Sequence, residues 1–279
     1  MNAPMNAIVD SHQHFWRLDR GDYTWLTPAL TPIYRDYLPE HLAPQLAQAG
    51  VAATILVQAA ATVEETRFML DLARGHSFVA GVVGWVDFES DEVADTIAAL
   101  AADPNLVGLR PMIQDIPDTE WMLEEKLAPA FEAMIDHGLV LDALVLPRHL
   151  PALLELSARY PDLAMVLDHG AKPPIATGDL AAWKQGIAEL ARSSPMVCKL
   201  SGLVTEAGAA DASLLEASVD HLLQNFGPSR MMWGSDWPVC ELVCSYGEWR
   251  NVTQTLLAKL DASGREQIFS GTARATYGI

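Results

Sequence analysis

Eight short apolar, β-branched runs alternate with amphipathic segments along 279 residues, and that alternation predicts a closed (β/α)8 TIM barrel. Two further observations favour it. No Pro/Gly/Ser-rich linker or shift in composition divides the chain, so residues 1–279 read as one barrel domain. No GxGxxG follows the first run, as a doubly wound dinucleotide-binding sheet would require.

Taken in order, the runs are Ile8–His14, Thr54–Ala59, Phe78–Val86, Leu106–Met112, Leu139–Val145, Ala164–His169, Met196–Gly202 and Met231–Ser235. Between them Val63–Arg74, Asp91–Ala102, Trp121–His137, Arg148–Tyr160, Asp179–Arg192 and Asp211–Phe226 place apolar residues at helical spacing, as at Phe131, Met134 and Ile135. The connection after the first strand, Phe15 to about Tyr37, is long and rich in aromatics, Pro and Thr. A loop of that length reads as a lid, a binding loop or a packed cover over one barrel end.

Composition narrows the function. Half of the residues are hydrophobic, enough for a sizeable core, and no stretch approaches a membrane span. Eighteen Lys and Arg stand against 36 Asp and Glu, a formal net charge of −18, which repels nucleic acid. The N-terminus has no basic region followed by an apolar stretch, and the three cysteines lack CxxC spacing. A cytoplasmic protein, monomeric or homo-oligomeric and acting on a small molecule, is expected.

In such a barrel the chemistry belongs at the C-terminal ends of strands. The first run ends Asp10-Ser11-His12-Gln13-His14, and side chains two apart share a strand face, so Asp10, His12 and His14 are expected together. Two imidazoles on one face chelate a divalent metal or polarise an oxygen, a structural pair being the plain alternative. The sixth run ends Asp168-His169-Gly170, where His169 is hard to explain as core and Asp168 reads as an orienting group. The eighth ends Gly234-Ser235-Asp236, placing a carboxylate that can ligate a metal, act as a general base, or simply cap a helix. Two strand-end cations, Arg110 and Lys199, can bind hydroxyls or an oxyanion, while Asp142 on the fifth strand can instead pair with Lys199 in a buried bridge. The remaining histidines, His41, His76, His137, His149 and His221, fall on helices or helix ends. There is neither a GxSxG elbow nor a P-loop.

Taken together, VDSHQHF, DHGAKPP and GSDWP resemble the amidohydrolase superfamily, in its amidohydrolase-2 group. The finer pattern, VGWVDFES, VGLRPMIQD, DALVLPRHL, CKLSGL and FGPSRMMWGSDWPV, is similar to that of sugar-acid lactonases of the L-fucono- and L-rhamnono-lactonase type. The resemblance implies HxH on strand one, His on strand six and Asp on strand eight, hence His12, His14, His169 and Asp236 as catalytic residues and ligands of one divalent ion, zinc being the first expectation. No lysine ends strand four or five to bridge a second metal, and members of the group differ in whether a metal is required at all.

The implied reaction is the opening of a small aldonolactone in sugar-acid catabolism, with Asp236 activating water, the histidines or a bound cation polarising the carbonyl, and no organic cofactor. Arg110, Lys199, Asp142 and Gln114 would contact substrate oxygens, and Trp25 on the long loop would cover a sugar face. Rival readings are a metal-dependent decarboxylase or pyrone-dicarboxylate lactonase in the same barrel, and a non-enzymatic sugar-acid-binding protein.

Overall fold

The computed structural model describes residues 7–279, and its eight strands form one parallel sheet whose spatial order follows the sequence. They are β1 (Ile8–Gln13), β2 (Val51–Val57), β3 (Val79–Gly84), β4 (Leu106–Leu109), β5 (Val140–Ala143), β6 (Met165–Leu167), β7 (Val197–Leu200) and β8 (Met231–Trp233). Between successive strands lie α1 (Pro39–Ala49), α2 (Val63–Gly75), α3 (Val93–Ala101), α4 (Ala128–Asp136), α5 (Leu150–Arg159), α6 (Ala181–Ser193) and the pair α7 (Leu203–Ala207) and α8 (Ala212–Phe226). Three more follow β8: α9 (Tyr246–Leu256), α10 (Ala262–Glu266) and α11 (Thr272–Tyr277). The sheet closes just past β8, where Gln13 pairs with Trp237 and the Asp236 N–H donates to the His12 carbonyl at 2.8 Å. The (β/α)8 barrel expected from the alternating runs is the fold.

One expected helix is shorter than its pattern. Residues 121–137 form two single turns, Trp121–Leu123 and Glu125–Leu127, before α4 begins at Ala128. Pro129 explains the break, because a residue without an amide proton suits the first turn of a helix and not its interior.

Two apolar layers hold the barrel. The larger packs the outer strand faces against the helices. The smaller lies inside, where Val9, Ala53, Ile55, Val57, Val83, Val140, Val166 and Met232 meet Ala273 and Tyr277 of α11. The last helix thus fills the barrel end opposite the strand C-termini.

β1 carries the irregularity that matters most. Asp10 pairs with Thr54 but Gln13 pairs with Leu56, so β1 advances three residues while β2 advances two. Such a bulge reverses the facing of everything after it. Asp10 therefore does not share a face with His12 and His14, as strict alternation predicts. Its carboxylate accepts from the Ser235 N–H at 2.8 Å and from the Tyr246 hydroxyl of α9 at 3.1 Å, tying β1 to the β8 exit.

The long first loop is a packed cover. Phe15, Trp16, Ile33 and Tyr37 are buried, and Trp16 and Tyr37 exchange backbone hydrogen bonds of 2.9 and 3.0 Å. Glu241 joins the loop to the β8 exit by accepting from the Tyr37 hydroxyl at 2.8 Å and the Trp237 indole N–H at 2.7 Å.

The turn after β2 is held by a buried acid. Thr62 caps α2 by accepting from the Glu65 N–H at 3.1 Å, and the Glu65 carboxylate turns back to accept from the Ala59 N–H at 3.0 Å and from the Ala60 N–H. Burial pushes the Glu65 pKa up to about 8, against the pull of those two amides. An acid whose pKa is higher folded than unfolded binds an extra proton in the native state, so its contribution to stability falls as pH rises from the ordinary carboxylate range to about 8. Glu65→Gln keeps an acceptor and removes that slope. Urea denaturation at pH 5 and pH 8 should show the parent losing on the order of a few kcal/mol more than the variant. Equal losses in the two proteins would remove Glu65 as the source.

Candidate active site

Three imidazoles and one carboxylate oxygen converge at the mouth of the barrel. Asp236 Oδ1 lies 3.3 Å from His14 Nε2, 3.8 Å from His12 Nε2 and 3.9 Å from His169 Nε2. The bulge brings His12 and His14 to the axis, their ring centroids 4.9 Å apart, and His169 stands 4.5 Å from His12. Both His169 and Asp236 adopt positive φ, 52° and 57°, which turns each side chain inward as its strand ends. Glycines make room. A Cβ on Gly202 would meet His169 Nδ1 at 2.7 Å, and one on Gly234 would meet the His12 Cβ at 2.7 Å.

Each histidine is oriented through its other nitrogen. His14 Nδ1 sits 2.8 Å from the Val57 carbonyl, which can only accept, so Nδ1 carries a proton and Nε2 is the nitrogen turned to the mouth. His169 Nδ1 meets the Ser201 hydroxyl at 2.8 Å, and His12 Nδ1 lies 3.4 Å from Asp168 Oδ1. Burial pushes the His169 pKa down to about 4, against Asp236 and Asp168, so the ring is neutral at pH 7. Burial likewise lowers His12, with Lys199 adding to the effect. Asp236 is desolvated too, but His169 and His14 outweigh the burial and hold it below the usual carboxylate range, as an anion.

This donor set fits one cation. His14 Nε2 and Asp236 Oδ1 stand 3.3 Å apart at the mouth, close enough for one cation to draw on both donors. His12, His14 and Asp236 form one group of mutually close donor atoms, and His12, Asp168 and His169 another. The hydrogen-bonded second nitrogens are the support that metal-binding histidines require.

A cavity of about 190 Å³ opens above this cluster, lined by His14, Trp25, Arg110, Gln114, Asp115, His169, Lys172 and Asp236. It adjoins a larger one of about 390 Å³, with which it shares Trp25, Ala59, Met112 and Asp115, and where Trp85, Phe88 and Trp121 stand among Asp22, Asp87 and Glu89. The Trp25 indole N–H donates to the Ala59 carbonyl at 2.7 Å, which leaves its ring face to the cavity. Arg110 is anchored on the Gln58 carbonyl and lies 3.3 Å from both Asp168 Oδ2 and His12 Nε2, while its Nε has no protein partner.

Two expected substrate contacts are placed elsewhere. Lys199 and Asp142 are fully buried, pair with each other beneath the imidazoles, and do not line the cavity. Burial there leaves no room for substrate, so the Lys–Asp bridge weighed from the sequence is what forms. The second cation at the mouth is Lys172, which sequence reasoning missed because it lies past the strand, in a left-handed run with His169, Gly170 and Ala171. Its signal was the AKPP that follows DHG.

Oriented histidines and a carboxylate at the C-terminal mouth of a (β/α)8 barrel define a hydrolase-type centre built to hold a metal or a polarised carbonyl. The chain belongs to the amidohydrolase family, whose family model matches residues 9–279. It is 46% identical over 280 residues to an L-fucono-1,5-lactonase of Burkholderia ambifaria, covering 99% of this chain and 97% of that one. It is 38% identical to an L-fucono-1,5-lactonase of Burkholderia multivorans, with the same shares covered. The fold matches a crystal structure of an amidohydrolase from Burkholderia multivorans with bound zinc at a TM-score of 0.92 and 38% identity, over 98% of this chain and 99% of that one.

The donor set predicts a single ion. Arg110 and Lys199 occupy positions beside His12 where a second cation would be repelled. Elemental analysis after zinc loading and desalting should find no more than about one zinc per chain, as a four-donor site of this kind holds. Two tightly held ions would contradict this geometry.

Proposed function

We propose that this protein hydrolyses a neutral sugar-acid lactone, of the type opened by the L-fucono-1,5-lactonases it resembles. The observation that carries the reading is Asp236, an anion held among three imidazoles at the floor of a cavity of monosaccharide size. His12, His14, His169 and Asp236 would hold a divalent ion, which when bound supplies Lewis-acid polarisation of the ester carbonyl. Asp236 takes a proton from the attacking water, whose oxygen adds to the carbonyl carbon. Arg110, on the cavity wall beside the cluster, would stabilise the oxygen on which negative charge develops. The ring C–O bond then breaks, and Asp236 returns the proton to the departing ring oxygen. The acid formed ionises, so each turnover releases one proton.

The cavity walls favour a neutral substrate. Arg110 is already paired with Asp168, and Lys172, the other cation on the lining, stands 3.8 Å from Glu206. A dicarboxylate needs two unpaired cationic partners, because desolvating each unpaired carboxylate costs several kcal/mol. Polyol hydroxyls instead use the mixture present, with donors on Arg110 and Lys172, an acceptor on Asp115, both on Gln114, and the Trp25 face for sugar C–H groups. A place in cytoplasmic sugar-acid breakdown agrees with three unpaired cysteines and with the lack, among the described residues, of any helix long and apolar enough to cross a membrane.

Two measurements test the reading. Asp236→Asn should retain the fold by circular dichroism and lose at least about a hundredfold in kcat, as expected for a positioned base. Near-parental turnover in the folded variant would sink that role. In a pH-indicator screen, kcat/KM for a neutral L-configured deoxy-aldonolactone should exceed that for a pyrone dicarboxylate, and the opposite order would overturn the choice of substrate.

A further inference from the structure

Beneath the imidazoles lies a chain of polar groups that the reaction above does not use. The hydroxyl of Tyr277, on the last helix, lies 2.9 and 3.0 Å from the two oxygens of Asp142. Asp142 Oδ2 accepts from the Lys199 ammonium, which also stands 3.2 Å from Asp168 Oδ1 and 3.2 Å from His12 Nδ1. None of Tyr277, Asp142 and Lys199 lines a cavity beside the site, so none can touch a substrate there. The layer below is wholly apolar, and burying an ion pair on top of it costs desolvation that a hydrocarbon packing would avoid.

We propose that Tyr277 and Asp142 are positioning residues that act through Lys199 to fix which nitrogen of His12 faces the mouth with a lone pair. His12 Nδ1 has two competing neighbours. Asp168 Oδ1 can only accept, which keeps the proton on Nδ1 and leaves on Nε2 the lone pair that faces Arg110 Nη1 at 3.3 Å and Asp236 at 3.8 Å. Lys199 can only donate, which would force the proton onto Nε2 and blunt the ring toward both a cation and a carbonyl. Asp142 offers the ammonium a charged acceptor, stronger than the ring nitrogen of His12. The Tyr277 hydroxyl, reaching up the barrel axis, holds that carboxylate in place. The C-terminal helix thereby sets the state of a residue at the opposite end of the barrel.

The inference rests on the lactonase reading for its kinetic arm only. Tyr277→Phe keeps the ring and removes one hydroxyl; Asp142→Asn keeps the shape and removes the charge. Calorimetric titration of the metal-free proteins with zinc should show affinity weakened about tenfold in Tyr277→Phe and more in Asp142→Asn, the scale of losses when the groups supporting a metal-binding histidine are changed. With the lactone, kcat should fall while KM stays within about twofold, because neither side chain meets substrate. The double variant should lose no more than Asp142→Asn alone, since the hydroxyl acts only through that carboxylate. A folded Tyr277→Phe with parental zinc affinity and kcat would overturn the proposal, whether or not Asp142→Asn folds. If the parent opens no lactone, the functional reading fails, and the zinc titration still decides this one.

Discussion

The site depends on one extra residue in β1. Alternation along a strand is strict, so with Val9 inside the barrel a strand without the bulge would send Asp10, His12 and His14 alike toward the helices. With it, Asp10 becomes the bolt that joins β1 to Ser235 and Tyr246, and the two histidines turn to face Asp236. Closure of the barrel and assembly of the cluster are thus one event. The same stretch of chain supplies the seam, through the His12 carbonyl and Gln13, and the two rings.

Electrostatics stack in layers along the barrel axis. The bottom is apolar; above it two cations, Lys199 and Arg110, interleave with two carboxylates, Asp142 and Asp168; above those stand the imidazole rings. The middle layer is balanced in formal charge. It therefore presents the rings with directed donors and acceptors and with no net charge. Burial raises Asp142 to about 6, while Lys199 and His12 outweigh burial at Asp168 and hold it well below its usual range. Asp168, the group that His12 must donate to, is thus the more firmly ionised of the two.

Much of this was legible in the residues. The eight runs were marked by period and by Val and Ile content, and the strand-end polar residues His12, His14, His169 and Asp236 stood out because a barrel core has no use for them. What could not be read was local. A bulge leaves no trace in hydrophobic alternation when the residues around it are all polar, as Asp10 to His14 are. Lys199 and Lys172 differ in depth and not in chemistry. One follows Cys198 inside a strand and the other follows three left-handed residues that carry it up to the mouth. Tyr277 lay outside every pattern considered, because its significance comes from where the last helix docks.

The seam has a consequence for how the protein is made. His14 and Asp236 are 222 positions apart, and the backbone bonds that join their strands are among the longest-range contacts in the chain. On a ribosome the first histidines emerge early, yet their partner carboxylate is still to be synthesised when seven of the eight strands are out. Until residue 237 is made, β1 lacks its partner at the seam. The buried aromatics of the first loop lie over that seam, and Tyr37 waits for Glu241 as β1 waits for Trp237. Until Asp236 is made, the three histidines lack their carboxylate, so no complete cluster can form on a chain that stops short of it.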